Sequence, residues 1–405
     1  SFYVGSTSPA KIKKAGVYTS GPTGGSNAGS GKQILVNFIQ QPDMPFYGFD
    51  SHNPTLTAYQ NCYQQIKVNR GNYFVPWVSV PAYTSDVVAA SVNLNNSNIG
   101  YGQINFKSAT GPIVAMPTST DSIFNLAVQG AEHGSTTTYE AFYTDSVAGG
   151  RTADIVAGQV NVVAYNPLAI NVCIVGVNGT VYPYDIGNLK AGVNRVLQQA
   201  VTTAQVSTLT LTNVDWDIDN NKNLSDSETG LLSSYNAEMK RLRRAVKQNP
   251  NYNPDTYYLF ILPASNDATL AGYMPLTGHF GFIFTQPNNT EQKIIRTIAH
   301  EISHGAFNLW HTFSSNNQYI AAQGTTNNLM DYTPNPTDSK LQKYQWDQIH
   351  NPESMVGWLQ DEEEGEMNES SEFIATVLDS IHAGNEEGIS KIDFTYLGTK
   401  VYHSK

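Results

Sequence analysis

The stretch HEISHGAFNLWH, residues 300–311, holds three of the chain's nine histidines and constrains the fold more than any other feature of the sequence. It continues a run in which Ile294, Ile295, Ile298, Ala299 and Ile302 recur at helical spacing. Residues i and i+4 of an α-helix share one face, so His300 and His304 aim two imidazoles at a single point, with Glu301 beside them. That donor pair suits a zinc ion, which takes neutral imidazole nitrogens and in reactive sites keeps one position open. A carboxylate at Glu301 lies within reach of a water held there and can take its proton.

The run HFGFIFT (279–285) directly precedes this helix, and the segments before it alternate between strand and helix patterns. VNVVAY (160–165), INVCIVGV (170–177), VSTLTLTNV (206–214) and YYLFIL (257–262) read as strands. One helix is expected through Leu189, Val193, Val196, Leu197 and Ala200, and a second through Leu231, Leu232, Tyr235, Met239, Leu242 and Val246. Upstream, QILVNFIQ, YFVPWVSV, IFNLAVQG and TTYEAFY are strand-length runs separated by Gly, Asn and Pro, the pattern of a β-sandwich. The expected organisation is a sandwich-like all-β domain over 1–157, an α+β domain over 158–360, and a tail over 361–405. The tail opens on the acidic run DEEEGE, a solvated linker, and carries one amphipathic helix through Phe373, Ile374, Val377, Leu378 and Ile381. SGPTGGSNAGSGK (20–32) reads as a loop or linker.

HEISHGAFNLWHTF together with NLMDYT (328–333) resembles the metzincin clan of zinc metallopeptidases, most closely the pappalysin and cytophagalysin type. The resemblance spans about 158–358 and is specific only over these two motifs. It implies an α+β zincin catalytic domain, His311 as third zinc ligand, and Met330 in a tight turn forming a hydrophobic floor beneath the metal. Tyr332 stands where some members carry a tyrosine near the metal; its hydroxyl either stabilises an oxyanion or packs under the site. The family motif places a glycine three residues after the second histidine, and this chain has one residue more. Counted back from His311, the glycine position is Asn308. Glycine ends the helix there in a left-handed conformation, and Asn tolerates that conformation best among other residues. The expectation is a helix one residue longer, capped at Asn308, with His311 still a ligand. Asp331 is the rival third ligand.

A second cation site is suggested by DIDNNKNLSDSE (217–228), which puts Asp217, Asp219, Asn221, Asn223, Ser225 and Glu228 at the oxygen-donor positions of a calcium loop, with Leu224 at its apolar position and Lys222 where glycine is usual. Ser225 and Glu228 also form a capping box for the following helix, and the two readings are compatible.

A net charge of -11 argues against nucleic acid as a partner, because phosphate binding needs a basic surface. The basic run from Lys240 to Lys247 lies in an expected helix and reads as a solvated face. No segment approaches the roughly 18 apolar residues of a membrane span. Only 14% of residues are charged, against about 25% in an average soluble protein, while Asn, Ser, Thr, Gly and Tyr abound, which leans towards an exported, β-rich chain. Ser1 opens no recognisable signal peptide, as in a mature or trimmed form. Cys62 and Cys173 read as two free thiols, with a bridge as the alternative. The expected function is a secreted zinc metalloendopeptidase acting on protein or peptide, bound as an added strand along HFGFIFT. The alternatives are a metallopeptidase toxin delivered into other cells and a binding or adhesion protein whose zincin domain is not catalytic.

Overall fold

The computed structural model describes residues 34–40, 47–68, 71–95, 98–118, 122–147, 150–179, 184–225, 235–333, 335–352, 392–396 and 399–403. The loop expected at 20–32, the acidic run and the helix expected near 373–381 lie outside the described residues.

The first half is built from β1 (Leu35–Ile39), β2 (Phe49–Asp50), β3 (Gln65–Val68), β4 (Gly71–Phe74), β5 (Trp77–Pro81), β6 (Ser85–Asn93), β7 (Asn105–Ser108), β8 (Gly111–Ile113), β9 (Ala115–Pro117), β10 (Ile123–Gln129), β11 (Thr136–Val147) and β12 (Arg151–Tyr165). One sheet has the order β1-β6-β10-β9 and the other β2-β5-β12-β11-β7-β8. Their inner faces share one apolar core, in which Val36, Val92, Leu126 and Val128 of the first meet Val80, Phe106, Ala141 and Val160 of the second. Alternate residues supply it, as expected of strands with one covered face. Gly158 lets the sheets close, since a Cβ there would run into the Val36 carbonyl.

β12 corrects the expected boundary at 157/158. VNVVAY is not the opening strand of the second unit; it completes a 15-residue strand that pairs antiparallel with β11 and parallel with β5. Its continuous apolar run is buried on both faces, Val160 and Val162 in the core between the two sheets and Val163 and Tyr165 in the core of the second assembly, and the chain changes sheets only between Tyr165 and Leu168.

The second assembly contains β13 (Leu168–Val177), α1 (Ile186–Leu197), β14 (Thr202–Leu211), α2 (Ala237–Lys247), β15 (Thr256–Leu262), β16 (Gly272–Tyr273), β17 (Phe280–Phe284), α3 (Glu291–Phe307) and α4 (Lys343–Ile349). Its sheet order is β14-β13-β15-β17-β16, parallel except for β16. The inner strands β15 and β17 and the second half of β13 are covered on both faces, which explains their continuous apolar runs, while β14 at the edge keeps an alternating pattern rich in Thr, Ser and Gln. Val172 and Ile174 face α1 and α3, and Cys173 and Val175 face α2. Capping side chains start the helices: Asp185 accepts from Asn188 N, Asn236 from Met239 N and Thr290 from Lys293 N. The Asn236 cap also shows that Tyr235 precedes α2 rather than belonging to it; Leu231 and Leu232 lie outside the described residues. Farther on, β18 (Ile392–Tyr396) and β19 (Thr399–His403) form a hairpin.

A second correction concerns the edge strand. HFGFIFT forms β17, which lies between β15 and β16 with every residue buried, so the edge belongs to β16. Cys62 and Cys173 are both free. Among the described residues, no helix is long and apolar enough to cross a membrane.

Candidate metal centre

Helix α3 carries His300, Glu301 and His304 on its buried side and ends at Phe307. Asn308 follows in the left-handed conformation, with φ 55° and ψ 31°. Its N–H donates to His304 O, and Leu309 N–H to Ser303 O, both at 3.1 Å, which satisfies carbonyls of the last turn. The reversal brings His311 back over the helix.

The three Nε2 atoms converge: His300 to His304 is 3.1 Å, His304 to His311 3.1 Å, and His300 to His311 3.3 Å. For a tetrahedral ion with nitrogens at 2.0–2.1 Å, two such donors stand about 3.3 Å apart. The tautomers agree with this use. His300 Nδ1–H donates to Leu329 O at 2.8 Å and His304 Nδ1–H to Leu309 O at 2.7 Å, which leaves each Nε2 with a bare lone pair. Lone pairs facing one another at such distances repel unless a cation joins them.

Burial, first, pushes the imidazoles of His300 and His304 well below their ordinary pKa, and neighbouring positive charge adds to it. His311 is lowered to about 3, again mainly by burial. All three are therefore neutral near pH 7, the form in which histidine binds a metal. The residues present fit a zinc ion.

Asp331, the rival ligand, is turned elsewhere. Its carboxylate accepts from the backbone N–H groups of Gly324, Thr326 and Tyr332 and from the Thr326 hydroxyl, all at 2.8 Å, so its oxygens are committed to its own loop. Met330 is fully buried in the core that contains Ile302, Phe307 and Leu309, and its carbonyl accepts from Thr312 N–H at 3.0 Å. It braces the residue directly after His311.

A cleft of about 550 Å³ opens over the histidines. Gly272 and Tyr273 of β16 form one wall, Thr297, His300, Glu301 and His304 of α3 the floor, and His311 and Tyr332 the far side. Tyr332 is 52% exposed, with its ring 4.7 Å from that of His311. It stands in the cleft rather than beneath the metal point. Glu301 is buried, with Oε1 against Gly272.

The 217–228 loop is partly as expected. Asp217 accepts from Asn221 N and Lys222 N, Asp219 from Asn221 N, and Asn221 Oδ1 from Asn223 N. Lys222 takes φ 69°, the positive value for which calcium loops use glycine. Leu224 is buried and bridges to Ser265. Glu228 lies outside the described residues, and the carboxylate beside Asp217 and Asp219 is that of Glu238 on α2, one oxygen from each of the three lying within 4.8 Å of the others. Glu238 also accepts from Ile218 N at 2.8 Å and Ser225 N at 2.7 Å.

Sequence reasoning missed Gly272, Glu238 and Arg296. Only Arg296 carried a local signal, since it precedes His300 by one helical turn. Comparison with protein-family models and with curated proteins gives no match for this chain.

Proposed function

We propose that the chain is a zinc metalloendopeptidase of metzincin type that acts on protein or peptide outside the cell that makes it. The observation that carries this reading is the convergence of three histidine Nε2 atoms beside a buried carboxylate, with the Nε2 lone pairs of His300 and His304 left bare by their Nδ1–H bonds, in a cleft walled by an edge strand. His300, His304 and His311 would hold the ion. Zinc bound there supplies Lewis acidity, polarising a carbonyl oxygen and lowering the pKa of a water to about 7.

Glu301 takes the proton of the attacking water and returns it to the departing amine. Its burial keeps bulk water from competing for that proton. The Tyr332 hydroxyl, in the cleft wall, offers a hydrogen bond to the developing oxyanion. Substrate enters as an extended strand alongside β16, whose outer side pairs with no other described strand. The low charge content supports an exported protein.

We also propose calcium as a second cation, held by Asp217, Asp219 and Glu238, with Asn221 and Asn223 in the same loop. The left-handed Lys222 and the buried Leu224 bridge favour it over a plain helix cap.

Cleavage-site profiling on a complex protein mixture, wild type against Glu301→Ala, tests the main reading. New peptide termini from the wild type alone, with zinc retained in both, are expected. A wild type that holds zinc and cleaves nothing overturns it in favour of a binding role, while cleavage confined to a single intracellular protein favours a delivered effector.

A further inference from the structure

Arg296 lies one turn before His300 on the same face of α3 and reaches into the loop that carries Met330. Its Nη2 donates to Asp331 O at 2.5 Å and Leu329 O at 3.0 Å, and its Nε donates to Asp338 O at 2.7 Å. Main-chain carbonyls turned towards one point repel each other, and a planar guanidinium with five fixed donors is the side chain suited to hold them there. One of these carbonyls has a second donor: Leu329 O also accepts from His300 Nδ1–H at 2.8 Å.

We infer that Arg296 is a positioning residue for the metal centre, fixing the Leu329 carbonyl so that His300 presents Nε2 to the ion in a set direction. The inference rests on the zinc reading above and adds an origin for the rigidity of one ligand. Arg296 and His300 stand four residues apart on a rigid helix and share an acceptor. The guanidinium therefore ties the helix register to the loop, and the loop orients the imidazole. Arg296 touches no reacting atom in this role. Outer-shell partners of this kind typically change metal affinity about 10–100-fold when removed.

The test uses the full chain with Arg296→Gln and Arg296→Lys. The zinc dissociation constant is measured by competition with a chromophoric chelator, and the visible spectrum of the cobalt-substituted protein is recorded. The melting temperature of each metal-free form is measured in parallel. Arg296→Gln should weaken zinc about 10–100-fold and shift the cobalt bands. Arg296→Lys, which keeps the charge but not the fork, should fall between it and the wild type. Lowered melting with unchanged zinc affinity and cobalt spectrum in Arg296→Lys overturns the inference, because Arg296 would then serve only the fold. A wild type that binds no zinc, or a His304→Ala variant that binds it as tightly, instead overturns the zinc reading itself.

Discussion

Gly272 of the edge strand lies directly against Glu301: a Cβ at Gly272 would stand 2.7 Å from Glu301 Oε1 and 2.7 Å from Thr297 Cγ2. The strand that would bind substrate thus also sets the space available to the carboxylate that would handle the proton. Gly272→Ala should push the carboxylate aside, and a displacement of about 1 Å near the chemistry can cost roughly a hundredfold in rate. The expected result is a large fall in kcat with zinc content unchanged. Full activity in Gly272→Ala would show that Glu301 needs no such fit.

The added residue between His304 and His311 makes a second prediction. Asn308→Gly should be tolerated, because glycine adopts φ 55° freely and the Asn308 Oδ1 is buried without a hydrogen-bond partner among the described residues. Asn308→Val should cost about 1–2 kcal/mol and loosen zinc, because a β-branched residue resists the left-handed region. His311→Ala should weaken zinc by more than an outer-shell loss would, and Asp331→Ala should retain one zinc per chain while destabilising its loop. Metal analysis of the four variants decides, and the idea fails if Asp331→Ala loses zinc while His311→Ala keeps it.

Acidification should destabilise the metal-free protein. In the folded chain the three site imidazoles have depressed pKa values, with burial as the leading cause. The unfolded chain takes up these protons near pH 6.5 and the folded chain does not, so stability that is complete above pH 6.5 is lost as the pH falls below it. The loss is about 1.4 kcal/mol per pH unit for each imidazole, and for His311 it continues towards pH 3. Melting temperatures between pH 7.5 and 5 should drop less steeply in His311→Gln than in the wild type. Equal slopes would mean that His311 is not held neutral by the fold.

Calcium should raise the melting temperature of chelator-treated protein when zinc is present throughout. At a calcium concentration a hundredfold above its Kd, the gain is about 2.7 kcal/mol, or roughly 5–10 °C for a unit of this size. Asp217→Ala should abolish the shift, and Glu238→Gln should reduce it. If calcium titration leaves the wild-type melt where it was, the loop is a helix cap and nothing more.

What could be read from the sequence is what short-range geometry encodes. The facing of His300 and His304 follows from 3.6 residues per turn, most strand cores follow from apolar runs, and the reversal at Asn308 follows from the dihedrals that Asn tolerates. Each of these is settled within a few residues of the position concerned. Tertiary structure alone decided which strands and side chains meet across long separations. β12 joins the six-stranded sheet of the first assembly because it pairs with β5 and β11, a choice its apolar run does not carry. β16 is two residues long, too short for any periodic pattern, and becomes the edge only because β17 offers it a side. Glu238 joins Asp217 and Asp219 because α2 folds back over their loop, and Arg296 finds its carbonyls because Leu329, Asp331 and Asp338 lie against the helix one turn before His300. Such contacts arise from burial and from the need of buried polar groups for partners, terms summed over the whole chain rather than over a window of it.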